Sequence, residues 1–163
     1  MSVTVRRFQK ELDTEAVVHL ARQLAAHHGE VSCLLPDAVS AAITLGHLEV
    51  IVAERVGRVV GYASFQRRMN LAAGTNALHL TELVVHPDHR RLGIGKALVR
   101  FVAQEALSRE VLSITLGLVA SNPAAHAFYQ TLGVKIAPSR GYRGELNGEA
   151  LRNLGSEIQG SRI

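Results

Sequence analysis

The chain has 163 residues, of which 47% are hydrophobic and 20% charged; this suits one globular domain with a sizeable core and excludes collagen-like, coiled-coil and wholly disordered chains. Eighteen Lys and Arg against 14 Asp and Glu leave a net charge of +4, and most of the cations are Arg, the side chain suited to fork-like contacts with phosphate or carboxylate. The basic pairs Arg6-Arg7, Arg67-Arg68 and Arg90-Arg91 are scattered along the chain, so they make no continuous nucleic-acid stripe, and nucleic acid is not the expected partner.

In chain order, Val3 to Phe8 alternates as a first strand, and Asp13 or Thr14 is the expected cap of a helix carrying Val17, Val18, Leu20, Ala21 and Leu24 that stops near His27-His28-Gly29. Pro36 to Leu45 reads as a second short helix closed by Gly46. Residues 48–66 read as a hairpin turning at Arg55-Val56-Gly57-Arg58, and residues 67–76, with no clear period, as a loop. Ala77 to His86 is a strand ended by Pro87, which lacks a backbone donor. From Ile94 the spacing of Ala97, Leu98, Phe101 and Val102 predicts an amphipathic helix to about Ser108, followed by a buried strand over Val111–Val119. Asn122-Pro123 opens a helix with Ala125, Phe128, Tyr129 and Leu132 on one side and Gly133 at its end, and Val134–Ala137 and Tyr142–Leu146 are short strands. The order β-α-α-β-β-β-α-β-α-β-β is an α/β (α+β) layout, a mixed central sheet of about six to seven strands flanked by helices. One domain over residues 1–163 is expected, with its core at about 3–146 and a tail, 155–163, that frays.

Cys33 stands alone, so no internal disulfide or CxxC site can form, and a reducing compartment is favoured. No apolar run approaches the ~20 residues that span a bilayer, and Met1 to Lys10 lacks a signal core, so a cytoplasmic protein is expected. His19, His27, His28, His47, His86, His89 and His126 include one adjacent pair, His27-His28, but no pair has H-x-x-x-H spacing with an acid between, so no metal is expected.

The informative segment is Leu80 to Lys96: a strand, a Pro-ended turn, a loop bearing Gly93 and Gly95, then a helix. Unpaired amides at the helix start and its dipole favour a phosphate, and the glycines let a pyrophosphate approach. Arg90, Arg91 and Lys96 add full charges. The spacing is neither the P-loop nor the dinucleotide fingerprint, since Ala97 follows Lys96 and position 98 is Leu.

Arg90-x-x-Gly93-x-Gly95 matches the R/Q-x-x-G-x-G/A signature of the acetyl-CoA loop in the GNAT superfamily of N-acetyltransferases. Asn122 to Val134 resembles that family's N-x-x-A-x-x-x-Y-x-x-x-G-[FV] segment, and the element order over residues 3–146 is similar to its fold. The resemblance implies an acetyl-CoA-dependent N-acetyltransferase that forms no acyl-enzyme, acts on the primary amine of a small molecule and forms a homodimer. It implies that Leu83, Val84 and Val85 meet the pantetheine arm, and that Arg90, Arg91, Leu92, Gly93, Ile94, Gly95 and Lys96 hold the pyrophosphate. Asn122, with Ala125 and Phe128 on the same helix, would bind the cofactor's arm, and Tyr129 would protonate the departing thiolate. An ordinary core tyrosine is the structural alternative for Tyr129.

The base is open between Glu82, where the family often has an acid, and His79, where its arylalkylamine branch carries a histidine. Strand alternation puts His79, Thr81 and Leu83 on one face and Leu80, Glu82 and Val84 on the other. Gly61-Tyr62-Ala63-Ser64-Phe65 with Leu80-Thr81-Glu82-Leu83 resembles the diamine and polyamine branch, but Thr81 stands where that branch has a first acid. Arg67-Arg68 would suit an amine that also carries a carboxylate or phosphate, or else form a solvated pair. Acetylation of a protein amino group or an aminoacyl-tRNA, and acetyl-CoA binding without turnover, are the alternative functions.

Overall fold

The computed structural model of the chain describes residues 2–72, 74–138 and 142–156. These residues form β1 (Thr4–Arg7), α1 (Lys10–His27), α2 (Pro36–Thr44), β2 (Glu49–Arg55), β3 (Arg58–Asn70) and β4 (Thr75–Val85), then α3 (Ile94–Ser108), β5 (Ser113–Leu118), α4 (Pro123–Thr131), β6 (Lys135–Pro138), β7 (Tyr142–Asn147) and α5 (Gly148–Ser156). The strands make one sheet in the order β1-β2-β3-β4-β5-β7-β6. It is mixed: β1 with β2, β2 with β3, β5 with β7 and β6 with β7 pair antiparallel, whereas β4 and β5 run parallel. Among the described residues no helix is long and apolar enough to cross a membrane. The chain divides into two compact units, Met1–Phe65 with Glu82–Val99, and Gln66–Thr81 with Arg100–Ile163.

In the first unit, Val17, Val18 and Leu20 of α1 and Val39 of α2 pack with Val50 and Val52 of β2, Tyr62 of β3 and Val84 of β4 in one buried cluster. β2 supplies it with alternate residues, Val50 and Val52, as period-two geometry requires. The expected cap at Asp13 or Thr14 is corrected: α1 begins at Lys10 behind Gln9. Asp13 instead lies fully buried in the first turn, where its Oδ2 accepts the Gln9 N–H at 2.7 Å and its two oxygens accept the Arg6 guanidinium at 2.6 and 2.9 Å. The same guanidinium donates to Glu54 on β2. Val56 and Gly57, with φ of 53° and 70°, form the two-residue turn between β2 and β3.

In the second unit, the stretch 67–76 read as a loop is instead the end of one strand and the start of the next: β3 runs to Asn70 and β4 starts at Thr75. Residues 66–70 are exposed without exception, so no buried face imposes an apolar alternation that a sequence pattern would show. A cross-strand bond from Arg67 Nε to Asn76 Oδ1, 3.0 Å, ties the two strands there. The parallel ladder covers Leu78–Leu80 and Ile114–Leu116. The frayed tail is corrected in part: residues 155 and 156 complete α5, whose Leu151 and Leu154 are buried, so the core extends past residue 146; residues 157–163 lie outside the described residues. Gly155 accommodates Leu107, whose Cδ1 would stand 2.6 Å from an added Cβ.

Candidate active site

In the first unit, β3 and β4 present Tyr62, Ser64 and Glu82 together. Tyr62 and Ser64 are two residues apart and share a strand face, and both hydroxyls donate to the same carboxylate oxygen, Glu82 Oε2, at 2.9 and 3.2 Å. The two donors are buried, at 1% and 2% exposure, so the carboxylate is fixed from below by groups that cannot swing away. Burial first, and then the charge of Glu82 and its hydrogen bond, push the Tyr62 phenol well above its ordinary value. It therefore stays protonated and remains a donor. Among the described residues nothing bonds the other oxygen, Glu82 Oε1. Glu82 lines a hollow of about 300 Å³ formed with the last turns of α1 and residues 28–34. Its other polar groups are His28, Glu30 and Ser32, and among the described residues neither Lys nor Arg lines it. Arg22 Nη2 donates to the Leu34 carbonyl at 2.7 Å and holds the segment that lines the hollow with α1.

The loop between β4 and α3 belongs to the same unit. Val84 is buried in the cluster with α1, while Leu83 and Val85 are partly exposed. A 3-10 turn over Pro87–His89 follows, and Arg91 and Gly93, at φ 62° and 78°, turn the chain into α3. Gly93 is free to adopt that left-handed conformation because it lacks a Cβ. The first bond back into the helix runs from Ala97 N–H to the Gly93 carbonyl, 3.0 Å, so the amides of Ile94 and Gly95 lie in the first turn, where a helix offers donors it cannot use itself. Arg91 and Leu92 are exposed at this end, Lys96 is half-buried, and Ile94 anchors the helix in the core. Arg90 is tied down: its Nε donates to the Val85 carbonyl at 3.2 Å.

In the second unit, His79 is paired in register with Thr115, and its Nδ1 lies 2.9 Å from Thr115 Oγ1. Its strand neighbours Leu78 and Leu80, on the other face, are buried. The two candidate bases thus have separate partners, Thr115 for His79 and the Tyr62-Ser64 pair for Glu82. Asn122 caps α4, its Oδ1 accepting the Ala125 N–H at 3.0 Å; this occupies the oxygen and leaves the amide nitrogen as a donor. Ala125 is partly exposed on the same helix, and the Phe128 ring meets the Tyr129 ring edge-on at 5.0 Å. Tyr129 is 8% exposed, and burial pushes its phenol well up from the ordinary value. Among the described residues its hydroxyl has no hydrogen-bond partner.

The sequence pointed to Glu82, and to Glu30 and Asp37 as the acids of the acceptor side at 27–37 and 64–80, but not to the hydroxyls that fix Glu82. A signal for those hydroxyls was present, since Tyr62 and Ser64 have the parity of a strand face; the absence of a period over residues 67–76 hid that β3 and β4 run on as long neighbours.

Comparison with known proteins bears on what these groups do. Residues 15–134 match the model of the acetyltransferase (GNAT) family. Over 54 residues the chain is 48% identical to mycothiol acetyltransferase of Parafrankia sp. (strain EAN1pec), a stretch covering 33% of this chain and 15% of that protein. Over 61 residues it is 39% identical to the ribosomal protein bS18-alanine N-acetyltransferase of Escherichia coli (strain K12), covering 37% of this chain and 41% of that one. The match therefore spans less than half the length of either relative. The structure of yncA from Salmonella typhimurium, with its cofactor acetyl-CoA, superposes with a TM-score of 0.75 at 22% identity, over 90% of this chain and 94% of that one. With the family's model matching 120 of the 163 residues, 15 to 134 inclusive, the chain belongs to the acetyltransferase (GNAT) family.

Proposed function

We propose that the chain is an N-acetyltransferase that moves the acetyl group of acetyl-CoA to a primary amine of a small molecule by direct attack. The observation that carries this reading is Glu82: one oxygen is held by two buried hydroxyls, among the described residues nothing bonds the other, and the residue lines a hollow of about 300 Å³, at the small end of ligand pockets. An amine arrives as an ammonium ion and must lose a proton before its lone pair can react. A fixed carboxylate attracts the cation and accepts that proton, directly or through one water. The nitrogen lone pair then bonds to the thioester carbonyl carbon, and the carbonyl oxygen takes the charge. When the carbonyl reforms, the C–S bond breaks with its electrons on sulfur, the proton from the Tyr129 hydroxyl goes to that thiolate, and the second proton on the nitrogen passes, directly or through water, to the phenolate, which leaves a neutral amide and restores Tyr129. A phenol held above its ordinary pKa carries its proton at neutral pH, as an acid requires. In this reading His79, bonded to Thr115, is the structural residue of the two base candidates.

Acetyl-CoA is the expected co-substrate. The first turn of α3, with Arg91, Gly93 and Lys96, offers backbone donors and charge to its pyrophosphate. Leu83, Val84 and Val85 continue β4 beyond the ladder at Leu78–Leu80, and their backbone groups suit the amides of the pantetheine arm. The Asn122 amide nitrogen adds a donor of the same kind. The similarity to an enzyme that acetylates a ribosomal protein's alanine favours a second acceptor, a protein amino group, and the two are separated by substrate. The test is acetyl-CoA-dependent release of free thiol over small amines and amino-terminal peptides, with thermal stabilisation by acetyl-CoA recorded alongside. Turnover of small amines is expected; stabilisation without any turnover would overturn the catalytic reading, and turnover of peptides alone would move the acceptor to protein.

A further inference from the structure

Taking the chain as an amine N-acetyltransferase, we infer that the acceptor is a compact primary amine with an apolar body and no carboxylate or phosphate, such as the decarboxylated form of an amino acid rather than the amino acid itself. Two carboxylates, Glu30 and Glu82, line the hollow together with the His28 imidazole, and among the described residues neither Lys nor Arg does. The last turns of α1, which form part of its wall, place the negative end of an 18-residue helix there as well. An ammonium group is therefore matched, whereas a substrate carboxylate would meet like charge, with neither Lys nor Arg to pair with it. Between the polar groups of His28 and Ser32, Leu24 and Leu34 with Ala21 and Ala25 of α1 add apolar wall that suits an alkyl or aryl body. A volume of about 300 Å³ is at the small end of ligand pockets and suits a small body. The Arg67-Arg68 pair does not alter the balance within this hollow, because Arg67 Nε is bonded to Asn76 and neither Arg is among its lining residues.

The experiment compares matched pairs, tyramine with tyrosine, histamine with histidine and isopentylamine with leucine, by thiol release from acetyl-CoA. The expected result is a kcat/KM for each amine about tenfold or more above that of its amino acid, the size that one unpaired charge contact, about 1.4 kcal/mol, produces. Glu30→Gln is expected to raise KM for the amines several-fold with a smaller effect on kcat, and Glu30→Arg to narrow the gap between each amine and its amino acid. Amino acids turned over as well as or better than the amines would overturn the inference and leave the transferase reading standing, as would turnover confined to peptide amino termini. Unchanged discrimination in Glu30→Arg, with all amines still preferred, would remove Glu30 from the selection and overturn the charge argument. Neither stabilisation by acetyl-CoA nor turnover of any substrate would bring down both readings.

Discussion

The Tyr62 hydroxyl lies 2.9 Å from Glu82 Oε2 and donates to it, from a side chain that is 1% exposed and packed among the valines of α1, α2 and β2. A core residue therefore sets the position of the carboxylate in the hollow. If Glu82 is the base, Glu82→Gln should lower kcat/KM by about a hundredfold or more while the thermal shift given by acetyl-CoA stays. Tyr62→Phe should act as the loss of a positioning group: Ser64 still donates, so turnover falls by about tenfold and stability by about 1 kcal/mol. Equal turnover in Glu82→Gln and the wild type would remove Glu82 from the chemistry.

Both buried phenols make stability depend on alkaline pH. Tyr62 and Tyr129 have folded-state values raised above the ordinary value of about 10, mainly by burial. Below about pH 10 folded and unfolded chains both hold these protons, and the contribution is fully present. Above it the unfolded phenols ionise while the folded ones do not, so stability falls as pH rises. Urea unfolding at pH 9 and pH 11 should show that fall, and Tyr62→Phe should reduce it. An identical fall in Tyr62→Phe and Tyr129→Phe would mean that other groups govern the alkaline limb.

How much of this was legible in the sequence depended on whether a buried face imposed a pattern. Glu82 could be assigned to the face of Val84 by alternation, and Val84 does lie in the cluster against α1 with Tyr62. The α3 and α4 helices were legible because apolar residues recur on one side and glycines lie at their ends. The strand extension over Gln66–Asn70 was not, because both its faces are exposed. α5 escaped for a related reason: it has glycines at 148 and 155, and Leu151 and Leu154 are too few to show a period. Asp13 was misplaced because an acid near a helix start suggests the cap itself, whereas here it sits in the first turn and reaches back to Gln9. Nothing in a sequence reports that the Tyr129 hydroxyl has no partner among the described residues, since that depends on the positions of distant residues.

The Arg6-Asp13 pair is structural and its loss should be costly. Asp13 is fully buried, and Arg6 meets it with two nitrogens while also bonding Glu54. In Arg6→Met the carboxylate keeps the Gln9 N–H but loses its counter-charge, a loss of about 3 kcal/mol. Asp13→Asn should cost less, because Arg6 retains Glu54. Chemical denaturation of both single variants and the double variant checks this: the double should lie well short of additive, since each partner is costly chiefly when left alone.

Val56 is a β-branched residue at φ 53° in the two-residue turn to Gly57 at φ 70°. Two left-handed residues in such a turn favour Asn-Gly. Val56 is also 74% exposed, so its side chain loses little burial on replacement. Val56→Asn should stabilise the fold by about 1 kcal/mol and leave kcat and KM unchanged; a loss of stability would mean that the valine packs in a way its exposure does not reveal.

Gly61 on β3 tests whether the end of β4 carries the pantetheine arm. A Cβ there would stand 2.7 Å from the Val84 carbonyl oxygen, 3.4 Å from Val85 Cα and 3.5 Å from Ile94 Cγ2. The first of these is a backbone atom, so in Gly61→Ala the chain at Val84-Val85 must move. The overpacking should cost about 1–3 kcal/mol. Because the displaced backbone is the one proposed to meet acetyl-CoA, KM for acetyl-CoA should rise more than KM for the amine. Gly117→Ala on β5 is the control, since among the described residues nothing lies within 4 Å of its added Cβ, and it should behave as wild type. A destabilised Gly61→Ala whose KM for acetyl-CoA is unchanged would separate the packing role of Gly61 from cofactor binding and remove Val84 and Val85 from the cofactor site.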